Sequence, residues 1–377
     1  MKVTILKEKL KNGINIVERI ADRATSLPIL NNILINTEKN FLNLTTTDLE
    51  IGINWWSLVK TEKEGKIAIP TRVLSGFVNF LPDKPIQLEL KGLNLKIDCE
   101  NHQTSIKGLS PEEFPIIPKI TSGENVSIKS SIFCQSLGQV VDFVGYSSTR
   151  PEISGIYFSF QKNLIVITAT DSFRLGEKKI FIDPLFKGLS KDYSFILPQR
   201  AAKEVVNIFS TKDEDLTIYL SPNQVMFETL LSETPHPQIQ LVSRLIEGEY
   251  PNYQEIVPKK YETQIILSKN DFINQVKLAS LFSGKINEVK LKIDPLKNKI
   301  NIFSQNPDLG EHKSTLNGKV EGKSCEISFN YRFLLDGLLN IKATEIILEL
   351  NGSEKPGILR PRGDESYFYL VMPIKAS

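Results

Sequence analysis

One pattern occurs three times in this chain, and it limits the possible folds more than any other feature. A short β-like run ends in Pro or Asn, then one residue, then Arg, then an amphipathic helix. The first copy is Lys66-Ile67-Ala68-Ile69-Pro70-Thr71-Arg72, ahead of a helical stretch over 73–81. The second is Phe195-Ile196-Leu197-Pro198-Gln199-Arg200, ahead of 201–209, and the third is Ile327-Ser328-Phe329-Asn330-Tyr331-Arg332, ahead of 333–341. The step from Pro70 to Pro198 is 128 residues and that from Pro198 to Asn330 is 132. So even a period over most of a chain marks repeated structural units.

Other features keep the same beat. Thr45-Thr46-Thr47-Asp48 is echoed by Thr168-Ala169-Thr170-Asp171, and Glu113-Phe114-Pro115 by Glu249-Tyr250-Pro251. Each repeat opens with a second helical stretch, over 8–20, 131–144 and 270–282. In the last of these, Phe272, Val276, Ala279, Leu281 and Phe282 recur at helical spacing. Capping residues stand ahead of two of them, Ser130 and Lys269-Asn270. Between the helices the sequence alternates and is β-branched, as in 86–90, 164–168, 216–220, 289–293 and 346–350, with Gly, Asn and Pro clusters between. The expectation is an α+β chain of three similar domains, each with two helices on one face of an antiparallel sheet. The phase of the repeat sets the domains at 1–124, 125–257 and 258–377, with both boundaries in polar, Pro-bearing stretches. Repetition alone is equally compatible with an array of binding modules that encloses no hole.

Composition excludes several classes. At 377 residues the chain is too long for one core. Its apolar runs, such as Ile29-Leu30 and 33–35, fall far short of a membrane span. The start, Met1-Lys2-Val3-Thr4-Ile5, lacks the basic region and apolar run of a secretory signal, so the expected location is cytoplasmic. Three scattered cysteines, Cys99, Cys134 and Cys325, fit a reducing compartment better than a disulfide framework. The net charge of +2 is too balanced to announce nucleic-acid binding, so any such contact must come from how charge is distributed. His102, His236 and His312 lie in polar loops without metal-ligand spacing, and no nucleophile-elbow, zincin, P-loop or dinucleotide signature is present. Asp48 and Asp171 resemble paired catalytic carboxylates, but their shared repeat phase makes them equivalent structural positions. No enzyme, cofactor or metal site is expected. The remaining rival is a sequence-specific or groove-binding DNA protein, which lacks any recognisable helix-turn-helix or zinc module here.

Five segments, in order along nearly the whole chain, resemble the bacterial sliding clamp family. They are Arg23-Ala24-Thr25-Ser26-Leu27-Pro28-Ile29-Leu30-Asn31-Asn32-Ile33-Leu34, then 45–50, then Ala169-Thr170-Asp171-Ser172-Phe173-Arg174-Leu175. Glu247-Gly248-Glu249-Tyr250-Pro251-Asn252-Tyr253 and Leu370-Val371-Met372-Pro373-Ile374-Lys375 complete the set. The resemblance implies a non-catalytic subunit that tethers a replicative polymerase to DNA. It implies a clamp fold in which two subunits of three domains join head to tail into a six-domain homodimeric ring. Helices line the hole, around double-stranded DNA that is held without sequence preference.

In such a ring the inner wall needs only diffuse positive charge that slides along phosphates and reads no bases. Arg72, Arg200 and Arg332 start the second helix of each repeat, and Lys11, Lys203 and Lys277 are further candidates. By resemblance, Arg23 and the loop Ser147-Ser148-Thr149-Arg150 also approach DNA. The family's hydrophobic cleft takes a short extended peptide from the polymerase alpha subunit, the clamp loader, other polymerases and repair factors. Carried over by motif, its walls are Ile153, Thr170, Ser172, Phe173, Arg174, Leu175, Pro251, Ile256, Val371, Met372, Pro373 and Ile374. Glu255 stands where the family often has a basic residue and Glu152 where an aromatic is common, so acid is expected at the cleft's edge. Ile106, Leu281 and Phe282 align with the apolar cluster of the family's dimer contact, and Thr104 falls where an aromatic can stand.

Overall fold

A computed structural model of the chain describes residues 1–21, 27–118, 120, 124–182, 189 and 191–375. Six helices among these fall where the repeat puts them: α1 (Lys7–Ala21), α2 (Thr71–Phe80), α3 (Ser130–Gly138), α4 (Gln199–Phe209), α5 (Lys269–Ser280) and α6 (Tyr331–Asn340). The three in-phase arginines are each the second residue of their helix, in α2, α4 and α6. Strong amphipathicity explains why α1 forms. Leu10, Gly13, Ile14, Val17, Ile20 and Ala21 make one buried stripe at helical spacing.

Helix α3 is shorter than its apolar pattern predicts. It stops at Gly138, and 139–143 continue as tight turns in which Val141 N–H and Val140 N–H both reach the Leu137 carbonyl. Gly138 and the β-branched pair Val140-Val141 weaken the helix locally, while burial of Val140 and Phe143 against Gly176 rewards the turn. The expected caps also differ. The cap of α5 is Ser268, whose Oγ accepts from Asp271 N–H at 3.4 Å, one residue before Lys269-Asn270. Ser130 belongs to α3 itself, and its hydroxyl is used across the chain, donating to the Lys212 carbonyl at 2.6 Å.

The backbone divides into two compact units, the first drawing its described residues from 1–134, 189, 191 and 203–245, the second from 135–182, 192–202 and 246–375. Each unit holds one large and one small antiparallel sheet. The large sheet of the first unit runs, edge to edge, Glu124–Lys129, Asp215–Leu220, Gln224–Leu230, Pro237–Arg244, Ile51–Leu58, Phe41–Thr47, Asn32–Glu38, Gly65–Pro70. Its small sheet runs Lys60–Lys63, Lys2–Leu6, Pro85–Lys91, Asn94–Cys99, His102–Lys107. In the second unit the large sheet runs Tyr193–Pro198, Gly155–Gln161, Leu164–Thr170, Arg174–Phe181, Tyr367–Val371, Gly357–Pro361, Glu345–Leu350, Thr263–Ser268, Lys319–Gly322. Its small sheet runs Gly310–Asn317, Lys299–Asn306, Glu288–Asp294, Cys325–Asn330.

Both large sheets are therefore joined from half-sheets of successive repeats, and the two joins have the same register. Ile53 faces Leu241 in the first, and Gly176 faces Tyr369 in the second. The last described strand, Tyr367–Val371, is buried throughout and sits in the middle of its sheet, so this late segment is core.

Helices pack on these sheets through glycines that admit large rings. A Cβ on Gly13 would lie 2.5 Å from Trp55 Cε3, and Trp55 is fully buried. Replacing Gly13 by Ala raises intrinsic helix propensity by about 1 kcal/mol, but forcing a methyl into a filled core costs about 1–3 kcal/mol. Overpacking wins on these magnitudes, so Gly13→Ala should lower the thermal midpoint; a raised midpoint would show that the ring has room to move.

Candidate functional site

At one end of the repeat join, a Thr-x-Asp turn is built from hydrogen bonds that the sequence encodes locally. Thr170 Oγ1 donates to the Arg174 carbonyl at 2.7 Å and accepts from Ser172 N–H at 3.1 Å. Asp171 Oδ1 accepts from Phe173 N–H at 3.0 Å and Arg174 N–H at 2.9 Å. Such side-chain to backbone bonds are what Thr and Asp offer a turn. Together they hold Ser172 at a φ of 76°, in the left-handed region that a non-glycine residue adopts only when its surroundings impose it.

The first unit repeats this turn bond for bond. Thr47 Oγ1 donates to the Ile51 carbonyl at 2.9 Å, Asp48 Oδ1 accepts from Glu50 and Ile51 N–H at 3.0 and 2.8 Å, and Leu49 has a φ of 78°. The returning strand closes each turn, through Arg244 N–H to the Glu50 carbonyl at 2.9 Å and Met372 N–H to the Phe173 carbonyl at 2.8 Å. Asp48 and Asp171 are thus equivalent structural residues, as their phase implies.

What differs is the side chains around the turn. In the second unit the structure gathers the sequence-predicted cleft residues in one place. Thr170 ends one strand, Arg174 and Leu175 start the next, and they face Val371 and Leu370 of the last strand. Pro251 and Ile256 flank a short turn, Tyr253–Glu255, and Ile153 lies buried in another, Pro151–Ser154. Phe173 is 61% exposed and Ile256 50% exposed, so apolar surface is offered to solvent beside the buried Leu175. Pro373 and Ile374 follow Met372, with Ile374 N–H bonded to the Ser328 carbonyl at 2.8 Å. Arg174 is the hub. Its Nε donates to Asp171 Oδ2 at 2.8 Å, its Nη1 pairs with Asp336 of α6, and its guanidinium lies 4.9 Å from the centre of the Phe333 ring and 5.5 Å from that of Phe143. Phe173 in turn stacks on Phe333, at 6.3 Å between centres.

Sequence reasoning missed the tyrosines and the carboxylate beneath this wall. Tyr253 packs in a buried cluster with Leu175, Ile358, Phe368 and Leu370, against which Tyr157, Tyr250 and Met372 are half-buried. Its hydroxyl donates to Glu177 Oε2 at 2.5 Å and accepts from Thr168 Oγ1 at 3.1 Å. Burial, reinforced by the Glu177 charge, pushes the Tyr253 phenol well above its ordinary range, so it stays a donor. The available signal was that Thr168 and Glu177 point to one face of adjacent strands and are directly paired in register. A groove of about 800 Å³ lies on this sheet face, lined by Tyr157, Glu177, Lys179, Tyr250, Tyr253 and Arg360 among others.

The acidic departures are both engaged. Glu152 pairs with Arg150 at 3.1 Å and Glu255 accepts from Asn252 at 2.7 Å. Arg150 also donates to Ser172 at 3.4 Å, and Thr149 contacts Ser147 at 3.2 Å, so this loop stands at the turn. Arg23 lies outside the described residues. Arg72, Lys203, Lys277 and Arg332 are exposed on their helices and Arg200 is half-buried. The six helices together carry ten Lys or Arg against five Asp or Glu, whereas the whole chain has 46 against 44, leaving 36 against 39 elsewhere. Positive charge is thus concentrated on the helices.

Ile106 is buried on an edge strand, Leu281 is 65% exposed after α5, and Phe282 stacks on His312 at 6.0 Å between ring centres. All three cysteines are free, and burial pushes the Cys134 thiol up to about 12. Among the described residues no cluster of His, Cys, Asp and Glu could hold a metal, and no helix is long and apolar enough to cross a membrane.

Comparison with known proteins covers the chain end to end. The DNA polymerase III beta subunit family matches in three parts: its N-terminal domain over residues 1–118, its central domain over 127–252 and its C-terminal domain over 254–375. The beta sliding clamp of Staphylococcus epidermidis is 29% identical over 385 residues, covering 100% of this chain and 99% of the relative. Among solved structures, the DNA polymerase sliding clamp of Bacillus subtilis superposes with a TM-score of 0.92 at 26% identity, over the whole of both chains. The DNA polymerase III beta subunit of Thermotoga maritima does so with a TM-score of 0.90, also at 26% identity and over the whole of both chains.

The turn makes its own prediction. Asp171→Asn keeps an acceptor for the two N–H groups and should cost about 1 kcal/mol, whereas Asp171→Ala strands both and should cost about 3 kcal/mol. Urea unfolding curves measure the difference, and equal losses would show that the turn does not depend on that oxygen.

Proposed function

Since the chain belongs to the bacterial DNA polymerase III beta-subunit family, the sliding clamps, we propose that two copies join head to tail into a ring around duplex DNA. The clamps are non-catalytic processivity factors whose partners are DNA and the polymerase. The finer reading concerns how this chain closes, which faces meet DNA and where partners dock. Its domains run 1–124, 125–257 and 258–377.

One observation carries the ring. Each repeat holds two half-sheets, and the inner four are fused into two continuous sheets. Each small sheet keeps an outer edge strand with a neighbour on one side only among the described residues, His102–Lys107 in one and Gly310–Asn317 in the other. Unpaired edges of this kind are ready templates for another strand. A third join of the same type needs the Gly310–Asn317 edge of one copy and the His102–Lys107 edge of another, a head-to-tail contact that closes when the rotation allows it. Transferring the register of the two internal joins sets His312 opposite Thr104 of the second copy and Gly310 opposite its Ile106. In support, His312 Nε2 is buried with no hydrogen-bond partner in the single chain, and a threonine hydroxyl would meet it there. Leu281 and Phe282 stand beside this edge and supply the apolar part of the contact.

A closed ring replaces affinity with topology. Phosphate contacts alone hold DNA with dissociation constants of about 10⁻⁴–10⁻⁶ M at physiological salt, too weak to keep a polymerase in place. Encirclement leaves the helices only the task of centring the duplex. Arg72, Arg200 and Arg332, with Lys203 and Lys277, provide charge without base-reading geometry; Arg23, Thr149 and Arg150 are carried by resemblance. The cleft from Thr170 to Ile374 takes an extended peptide with apolar anchors, because exposed Phe173 and Ile256 border a preformed apolar floor. Polymerase alpha subunit, clamp loader and repair factors dock there in turn.

Two measurements test this. Loaded onto nicked circular DNA by a clamp loader, the protein should stay bound and then be lost once the circle is linearised; retention on linear DNA with free ends would mean a groove binder. Leu281→Asp, at an exposed position, should weaken dimerisation by about tenfold or more, roughly 1.4 kcal/mol. Sedimentation equilibrium reads this directly, and a native dimer constant would remove Leu281 from the contact.

A further inference from the structure

The two copies of the Thr-x-Asp turn differ in how the adjoining linker is held to the sheet. In the first unit, Thr45 and Asn54 bond to each other directly, Oγ1 to Oδ1 at 2.7 Å, and the linker presses apolar side chains on the sheet. Phe114 joins a buried cluster with Leu34, and Ile117 fills the space over Gly52. In the second unit the corresponding strand positions, Thr168 and Glu177, are separated by the Tyr253 hydroxyl, and tyrosines replace the apolar side chains: Tyr157 for Leu34, Tyr250 for Phe114, Tyr253 for Ile117. Tyr157 and Tyr250 stack at 5.0 Å, and Tyr253 meets Tyr250 edge-on at 6.5 Å. Glu177 is 5% exposed, and its other oxygen lies 3.5 Å from Lys179 Nζ. Tyr253 itself sits midway between the wall residues Pro251 and Ile256, with its N–H on the Pro251 carbonyl at 2.7 Å and its carbonyl accepting from Ile256 N–H at 3.1 Å.

Resting on the reading of this cleft as the partner-peptide site, we infer that Tyr253 is a positioning residue. Its hydroxyl, inserted between Thr168 and Glu177, pins the linker to the sheet and keeps Pro251 and Ile256 standing as a preformed wall. The buried Glu177 carboxylate makes the pin strong, because a charged acceptor in a dry site holds its donor tightly and is costly to abandon. Tyr253 touches no peptide in this scheme. It acts by raising the fraction of molecules whose cleft is ready, and apparent affinity scales with that fraction.

The test uses the full chain and a fluorescein-labelled extended peptide with leucine and phenylalanine anchors, followed by polarisation and stopped flow. Tyr253→Phe keeps the ring and removes the pin. It should weaken binding by about tenfold, almost all of it in the association rate, and amides of 251–257 should exchange faster in the free protein. Glu177→Gln still offers the phenol an oxygen but removes the charge that strengthens the pin, and should weaken binding by about threefold, less than Tyr253→Phe. Phe173→Ala removes an exposed cleft side chain and should abolish binding while leaving exchange at 251–257 as it was. Should Tyr253→Phe melt below the assay temperature, Thr168→Val serves in its place, with an expected loss of about threefold. Native affinity and native exchange in Tyr253→Phe, alongside lost binding in Phe173→Ala, would overturn the inference and spare the cleft. Undiminished binding by Phe173→Ala would overturn the cleft reading and the inference with it.

Discussion

An antiparallel sheet has two edges, and a protein built from repeated half-sheets must do something with each. Here the solution is to fuse the facing edges of neighbouring repeats. Ile51–Leu58 takes Pro237–Arg244 as its partner, and Arg174–Phe181 takes Tyr367–Val371. Backbone hydrogen bonding across these joins is what makes each large sheet continuous, and side-chain alternation pins the register, since a slip of one residue would turn every buried side chain outward. The helices then have a single face to cover, and Gly13, Gly176 and Gly337 are where their cover comes close enough to need the absence of a side chain. The same rule, applied to the outer edges His102–Lys107 and Gly310–Asn317, is what the proposed contact with a second copy rests on.

The apolar surface beside the second turn is a consequence of the join. Where two half-sheets fuse, the incoming strand closes the Thr-x-Asp turn by one backbone hydrogen bond, and the chain's last residues are brought beside it. That arrangement arises twice, yet only one copy surrounds its turn with exposed Phe173 and Ile256 and a buried apolar floor. In the other copy Glu50 stands where Phe173 does and Arg244 where Met372 does, and Ile117 fills the floor. The scaffold is common to both copies, and the side chains around the turn are what differ. Charge followed the same logic. A chain almost neutral overall carries a surplus of basic residues on the six helices.

Much of this was written in local sequence. The threefold pattern, the two helices per repeat, the in-phase arginines and the Thr-x-Asp turn all rest on interactions within a few residues, which a one-dimensional pattern records faithfully. Local reading failed at α3, where apolar periodicity continued past Gly138 but burial of Phe143 under the sheet favoured turns. It failed also at the caps, where Ser130 spends its hydroxyl on Lys212, far away in sequence. Tertiary structure alone decided which strands fuse, that Arg174 reaches Asp336, and that Tyr253 enters between Thr168 and Glu177. The side-chain contacts among these span 76 to 162 residues and the strand joins span more, and no periodicity encodes them, because their partners are chosen by the register of strands that meet only after the sheets have formed.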